Sequence, residues 1–211
     1  MPSYRQLFPY EHAKSDSSLL LSNRFYSHSK PEKAVFLDRD GVINHDFGYT
    51  SKPENFSIID GVFAACRWFS EQGFQLVVVT NQSGIARGYY SETEFASLTS
   101  WMLKAFANEG ITLAGVYYCP HHPTAGVGEY LQHCDCRKPN AGMLLQAATE
   151  LNLSLPDSIM IGDNHSDVAA GRNAGVKLCA LIDASEIKFA QSIADMNARS
   201  LFDVVQELSA I

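Results

Sequence analysis

Two aspartates two positions apart, in Phe36-Leu37-Asp38-Arg39-Asp40-Gly41, have the greatest capacity for chemistry. One carboxylate of such a pair can attack a phosphorus atom and form an acyl phosphate. The other can protonate the leaving oxygen and later take a proton from the attacking water. Gly41 lets the backbone turn away sharply. Alone, Asp-x-Asp-Gly is also compatible with an ordinary turn. Three further motifs narrow the choice. Thr80-Asn81-Gln82-Ser83-Gly84 offers hydroxyl and amide donors that can surround phosphate oxygens. In Arg137-Lys138-Pro139 the lysine can neutralise both phosphate and nucleophile. Met160-Ile161-Gly162-Asp163 supplies a carboxylate placed to share a cation with Asp38, and Asp167 follows four residues on as an orienting group. Mg²⁺ prefers such carboxylates together with water and phosphate oxygens. Without a cation, the like charges of two aspartates would repel an anionic substrate.

The cysteines suggest a second metal. There are five, at 66, 119, 134, 136 and 179. An odd count without a secretion signal argues against a disulfide framework. Cys119, His121, Cys134 and Cys136 instead make a Cys₃His set, suited to closed tetrahedral zinc. His122 or His133 could stand in for His121. A metal there would fix the 12 residues between His121 and Cys134 and so hold Arg137 and Lys138. Cys66 and Cys179 read as small core residues.

These groups need elements to position them. Ala34–Leu37 is a short apolar run that reads as a buried strand, and Phe74–Val79 reads as a second. Strands are also expected at Val116–Tyr118, Ser158–Ile161 and Lys177–Leu181. Helices are expected over Gly61–Gly73, over Ser91–Gly110 with a Ser91/Glu94 capping box, and over Gly142–Leu151, Ser166–Ala174 and Ser200–Ser209. Strands alternating with helices imply an α/β fold, a doubly wound parallel sheet covered on both faces. Each polar motif follows an expected strand, where such sheets bind ligands.

The 211 residues suit one domain, expected over 34–211 behind a flexible polar extension over 1–33. The net charge of −7 argues against nucleic acid or an anionic membrane as partner. No apolar run approaches the roughly 18 residues of a membrane span. The expectation is a cytoplasmic monomer.

The set Asp38-Arg39-Asp40-Gly41, Thr80, Lys138 and Gly162-Asp163 to Asp167 resembles the haloacid-dehalogenase-like (HAD) phosphatases. The resemblance implies Asp38 as nucleophile and Asp40 as general acid and base. It implies Mg²⁺ held by Asp38, the Asp40 backbone carbonyl and Asp163, with Thr80 and Lys138 on the transferring phosphoryl group. Within that family, Phe36–Asn44, Val77–Gly88, Tyr117–Pro123 and Cys134–Pro139 resemble the D-glycero-D-manno-heptose 1,7-bisphosphate phosphatases. That branch implies a small phosphorylated sugar as substrate, losing its 7-phosphate. Implied contacts are Asp46, Phe47, Gly48, Tyr49, Thr80, Asn81, Gln82, Ser83, Arg137 and Lys138. Asn164 also belongs to this set, and stands where the branch often has a lysine. The rival enzyme is a histidinol-phosphate phosphatase, whose loop after Thr80 usually differs. A non-catalytic zinc-stabilised binding protein would be expected to have lost at least one catalytic position, and none is lost.

Overall fold

The computed structural model describes residues 5–7 and 30–210. In chain order the main elements are β1 (Arg5–Leu7), β2 (Ala34–Leu37), α1 (Val62–Glu71), β3 (Gln75–Asn81), α2 (Ser83–Ala86), α3 (Glu92–Asn108) and β4 (Leu113–Cys119). They continue with α4 (Gly142–Glu150), β5 (Ile159–Gly162), α5 (His165–Ala174), β6 (Leu178–Ile182), β7 (Met196–Ala198) and α6 (Leu201–Ser209). The strands form one sheet in the order β1-β4-β3-β2-β5-β6-β7. The pairs from β4 across to β7 are parallel, and β1 lies antiparallel on β4. The chain builds from β2 through β3 to β4, then crosses back to lay β5, β6 and β7 on the other side. The reversal falls between β2 and β5, and the crevice at such a switch point is where open α/β sheets bind ligands.

The apolar runs work because successive side chains face opposite layers. Val35 and Leu37 of β2 join one core with Leu76, Val78, Ile159 and Ile161, under α1, α3 and α6. Ala34 and Phe36 join the other with Val77, Val79 and Met160, under α4 and α5. With both faces covered, every residue of β2 is buried. Helix α3 starts as its sequence predicts: Ser91 accepts from the Glu94 backbone N–H, and Glu94 accepts from that of Ser91.

Some boundaries differ from expectation. β3 runs past Val79 because Thr80 and Asn81 pair with Tyr118 and Cys119, and β4 starts at Leu113 because Leu113 and Gly115 pair with Leu76 and Val77. Helix α5 begins at His165, one residue early, because Asn164 caps it. β1, α2 and β7 were not expected, being short and carrying little apolar periodicity. Of the extension expected over 1–33, residues 1–4 and 8–29 lie outside the described residues. Among the described residues, no helix is long and apolar enough to cross a membrane.

Candidate active site

Asp38 follows β2 and Asp163 follows β5. Because Leu37 pairs with Ile161, the two carboxylates emerge side by side at the switch point. Asp38, Asp163 and Asp167 can bring one oxygen each within 4.8 Å of one another. Gly41 permits this approach. Its φ is +83°, and a Cβ there would lie 2.6 Å from the Asp163 carboxyl. Burial pushes the Asp38 carboxyl up to about 7 despite the opposing Lys138 ammonium, with Asp167 and Asp40 adding to the rise. Burial, then the Asp38 charge, pushes Asp163 up to about 6. Oxygen ligands this crowded and this poorly neutralised fit a divalent cation.

Lys138 answers part of that charge. Its ammonium lies 2.9 Å from Asp38 Oδ1 and 2.7 Å from Asp167 Oδ1, and it donates to the Val79 carbonyl at 2.7 Å. Burial alone would depress its pKa, but Asp167 and Asp38 together outweigh it and hold the ammonium above its usual range. Asn81 fixes this lysine from the sheet: its side chain accepts from Lys138 N–H at 3.0 Å and donates to Lys138 C=O at 3.1 Å. Asp167 spends its second oxygen on the Asn164 N–H at 2.9 Å, which agrees with an orienting role. The Asn164 side chain accepts from Ser166 N–H as the α5 cap.

Asp40 is surrounded by donors. Arg39 Nη2 reaches both its oxygens at 2.8 Å, and Asn44 Nδ2 reaches Oδ1 at 3.0 Å. Arg39 is itself 1% exposed, between the rings of Phe56 and Phe95. Gln82 reaches Asp40 from the cavity side at 3.0 Å and is held by Tyr90.

A cavity of about 670 Å³ opens over these groups. Its walls include Asp38, Asp40, Asp46, Gly48, Tyr49, Thr80, Asn81, Gln82, Ser83, Arg137, Lys138, Asp163 and Asn164. Phe47 is not on this wall. It stands 71% exposed beside an adjoining groove that shares Gly48 and Tyr49. That loop is tightly turned: Gly48 N–H donates to Asp46 Oδ1 at 2.8 Å, and Gly48 and Tyr49 both have left-handed φ. The Tyr49 ring meets the edge of Tyr89 at 4.7 Å.

The thiol cluster forms as its spacing suggested. Cys136 Sγ lies 3.1 Å from both Cys119 Sγ and Cys134 Sγ, and those two are 3.6 Å apart. His121 Nδ1 is 3.4 Å from Cys136 Sγ. Tetrahedral zinc–thiolate bonds set sulfurs about 3.8 Å apart, so the cluster needs only a small expansion to become a zinc cage. His122 does not compete: its Nδ1 accepts the backbone N–H groups of Thr124 and Ala125. His133 is exposed and outside the cluster. Arg137 donates to the His121 carbonyl at 3.2 Å, so the cluster anchors the residue before Lys138.

Arg39, Asn44, Tyr90 and Lys188 escaped the sequence reading. Lys188 ion-pairs with Asp163 at 3.3 Å from a short 3-10 helix, Ile187–Gln191. Arg39 carried a faint signal, as a cation set between two aspartates just past a fully apolar strand. The others are isolated residues whose partners only the fold supplies.

A catalytic crevice built this way, at the switch point of a parallel sheet, defines a phosphatase of the HAD-like class. The HAD-hydrolase-like family matches residues 135–184. The D-glycero-beta-D-manno-heptose-1,7-bisphosphate 7-phosphatase of Haemophilus influenzae is 53% identical over 150 residues, 71% of this chain and 81% of that one. That of Escherichia coli K12 is 46% identical over 85% of this chain and 95% of its own. The solved D,D-heptose 1,7-bisphosphate phosphatase of B. bronchiseptica, complexed with magnesium and phosphate, has a TM-score of 0.73 and 28% identity, covering 84% of this chain and 98% of that one. The chain belongs to the D-glycero-beta-D-manno-heptose-1,7-bisphosphate 7-phosphatase family.

Proposed function

We propose that the enzyme removes the 7-phosphate of D-glycero-D-manno-heptose 1,7-bisphosphate, leaving heptose 1-phosphate for nucleotide activation towards lipopolysaccharide core. The observation that carries this reading is one cavity holding Asp38, Asp40, Thr80, Lys138 and Asp163 with Arg137 on the same wall. A bisphosphate has two anionic ends. Arg137 commits one N–H to the His121 carbonyl and has others for the phosphate that does not react.

In the first step Asp38 attacks phosphorus as the bond to the sugar oxygen breaks, and Asp40 gives that oxygen its proton. This leaves an aspartyl phosphate on Asp38. In the second step Asp40 takes a proton from water, which attacks phosphorus and frees Asp38. Thr80 and Lys138 hold the phosphoryl oxygens throughout, Lys138 with its charge already in place. Asp46, Gly48 and Tyr49 face the sugar. Asp38, Asp163 and the Asp40 carbonyl would hold Mg²⁺, which when bound offsets negative charge on the phosphoryl group. Cys119, His121, Cys134 and Cys136 would hold a structural Zn²⁺. Free cysteines suit a reducing compartment, so we place the enzyme in the cytoplasm, and we propose that it acts as a monomer.

The test is phosphate release from both heptose 1,7-bisphosphate anomers and from histidinol phosphate, with and without Mg²⁺. Fast Mg²⁺-dependent release from one heptose anomer is expected. Preference for histidinol phosphate would overturn the substrate assignment.

A further inference from the structure

We infer that Tyr90 and Gln82 form a positioning pair that aims Asp40 at the leaving oxygen. This rests on the reading of Asp40 as the group that handles the proton. Asp40 is pulled from two sides. Arg39 and Asn44 bind it from the buried side. Gln82 binds Oδ2 at 3.0 Å from the cavity wall, and the same Nε2 donates to Thr80 Oγ1 at 2.9 Å. Both amide hydrogens are therefore spent on groups that face the substrate. Asp40 Oδ2 accepts this bond, so Gln82 presents its nitrogen there and turns its carbonyl oxygen the other way. Tyr90 receives that oxygen, donating its hydroxyl to Oε1 at 2.6 Å.

Tyr90 can hold this orientation because its own position is fixed. It is 6% exposed and packs with Ile85, Phe95 and Tyr118. Gly84 fits directly against it: a Cβ at Gly84 would lie 2.2 Å from the ring. Burial also raises the phenol further above its usual range, so it remains a donor. Without the Tyr90 hydroxyl, Gln82 loses the bond that sets its amide, and Arg39 can draw Asp40 away from the cavity.

Proton donation matters in proportion to the basicity of the leaving oxygen. A sugar alkoxide needs it, whereas p-nitrophenolate leaves largely unaided. The experiment compares kcat for the heptose bisphosphate and for p-nitrophenyl phosphate in the wild type, Tyr90→Phe, Gln82→Met and Asp40→Asn, with melting temperatures alongside. Tyr90→Phe keeps the ring. It is expected to lower the sugar-to-aryl rate ratio about five- to tenfold, the equivalent of one hydrogen bond. Gln82→Met is expected to lower it further, and Asp40→Asn furthest. An equal loss on both substrates in Tyr90→Phe and Gln82→Met would reduce the pair to a structural role and overturn the inference. An unchanged ratio in these two, with a lowered ratio in Asp40→Asn, would overturn the inference alone. An unchanged ratio in Asp40→Asn would overturn the proton role of Asp40, and the positioning role with it.

Discussion

Replacing Lys138 with Met removes the ammonium while keeping most of the side chain's bulk. Lys138 is 2% exposed and answers two carboxylates at 2.9 and 2.7 Å. Removing one partner from a buried charge pair costs about 3–5 kcal/mol when the remaining charge stays uncompensated. The carboxylates can escape that cost by taking up protons, and Asp38 already sits at about 7 from burial. The sign follows from linkage. A carboxyl whose folded pKa is raised contributes stability below its unfolded value, near 4, and loses it as pH rises through the folded value. In Lys138→Met the Asp38 value rises further, because the neutralising charge is gone. Without added Mg²⁺, the deficit against wild type is therefore small at pH 5 and grows to about 3–5 kcal/mol by pH 8. For a domain of this size that is roughly 6–20 °C in melting temperature. Thermal melts at half-unit pH steps, with calorimetry at each end, read it directly. Phosphate release at saturating Mg²⁺ should fall by about 10²–10³. A deficit equal at pH 5 and pH 8, or larger at pH 5, would refute the charge argument.

Asp38→Asn should fold and keep the metal content of its thiol cluster while losing phosphate release; full activity in that variant would refute the nucleophile. Cys134→Ser removes one of three sulfurs that lie within 3.6 Å of each other. Metal analysis should show bound zinc falling below half an equivalent, and turnover should fall with it as Arg137 and Lys138 lose their anchor; unchanged zinc content would refute the ligand set. Ser91→Ala breaks an exposed capping box. It should cost about 1 kcal/mol in urea unfolding and leave kcat within twofold, since Ser91 and Glu94 bond each other at the exposed end of the helix; a large kcat loss would contradict that separation.

The legible parts of this molecule were local. β2, β3 and β5 announce themselves as continuous apolar runs because both of their faces are covered. Three of the four motifs could be placed because each follows such a run, and Arg137-Lys138-Pro139 because it comes shortly before α4. The thiol cluster was legible from ligand type, but spacing alone left His121, His122 and His133 as alternatives, and the fold brings His121 against the three sulfurs. Other roles depended on distant partners. Asn81 was expected at the phosphate, and its amide also clamps the peptide of Lys138, 57 residues away. Asn164 was expected at the substrate and is also a helix cap. Arg39 looked like a spacer between two aspartates, until folding enclosed it between Phe56 and Phe95.

The loop from Asp46 to Tyr49 shares the cavity with the reacting groups but is exposed, where they are enclosed. Its side chains are exposed, Phe47 most of all, and its turn is closed by its own Asp46. Asp38, by contrast, grows from the most enclosed strand of the sheet. With Asp46, Gly48 and Tyr49 facing the sugar as proposed, chemistry and sugar contact fall on separable stretches of chain, one costly to alter and one cheap. Exchanging those four residues should then change the preferred sugar or anomer while phosphate release from an aryl phosphate persists. New substrates in this scaffold should arise by loop replacement, with the core left as it is.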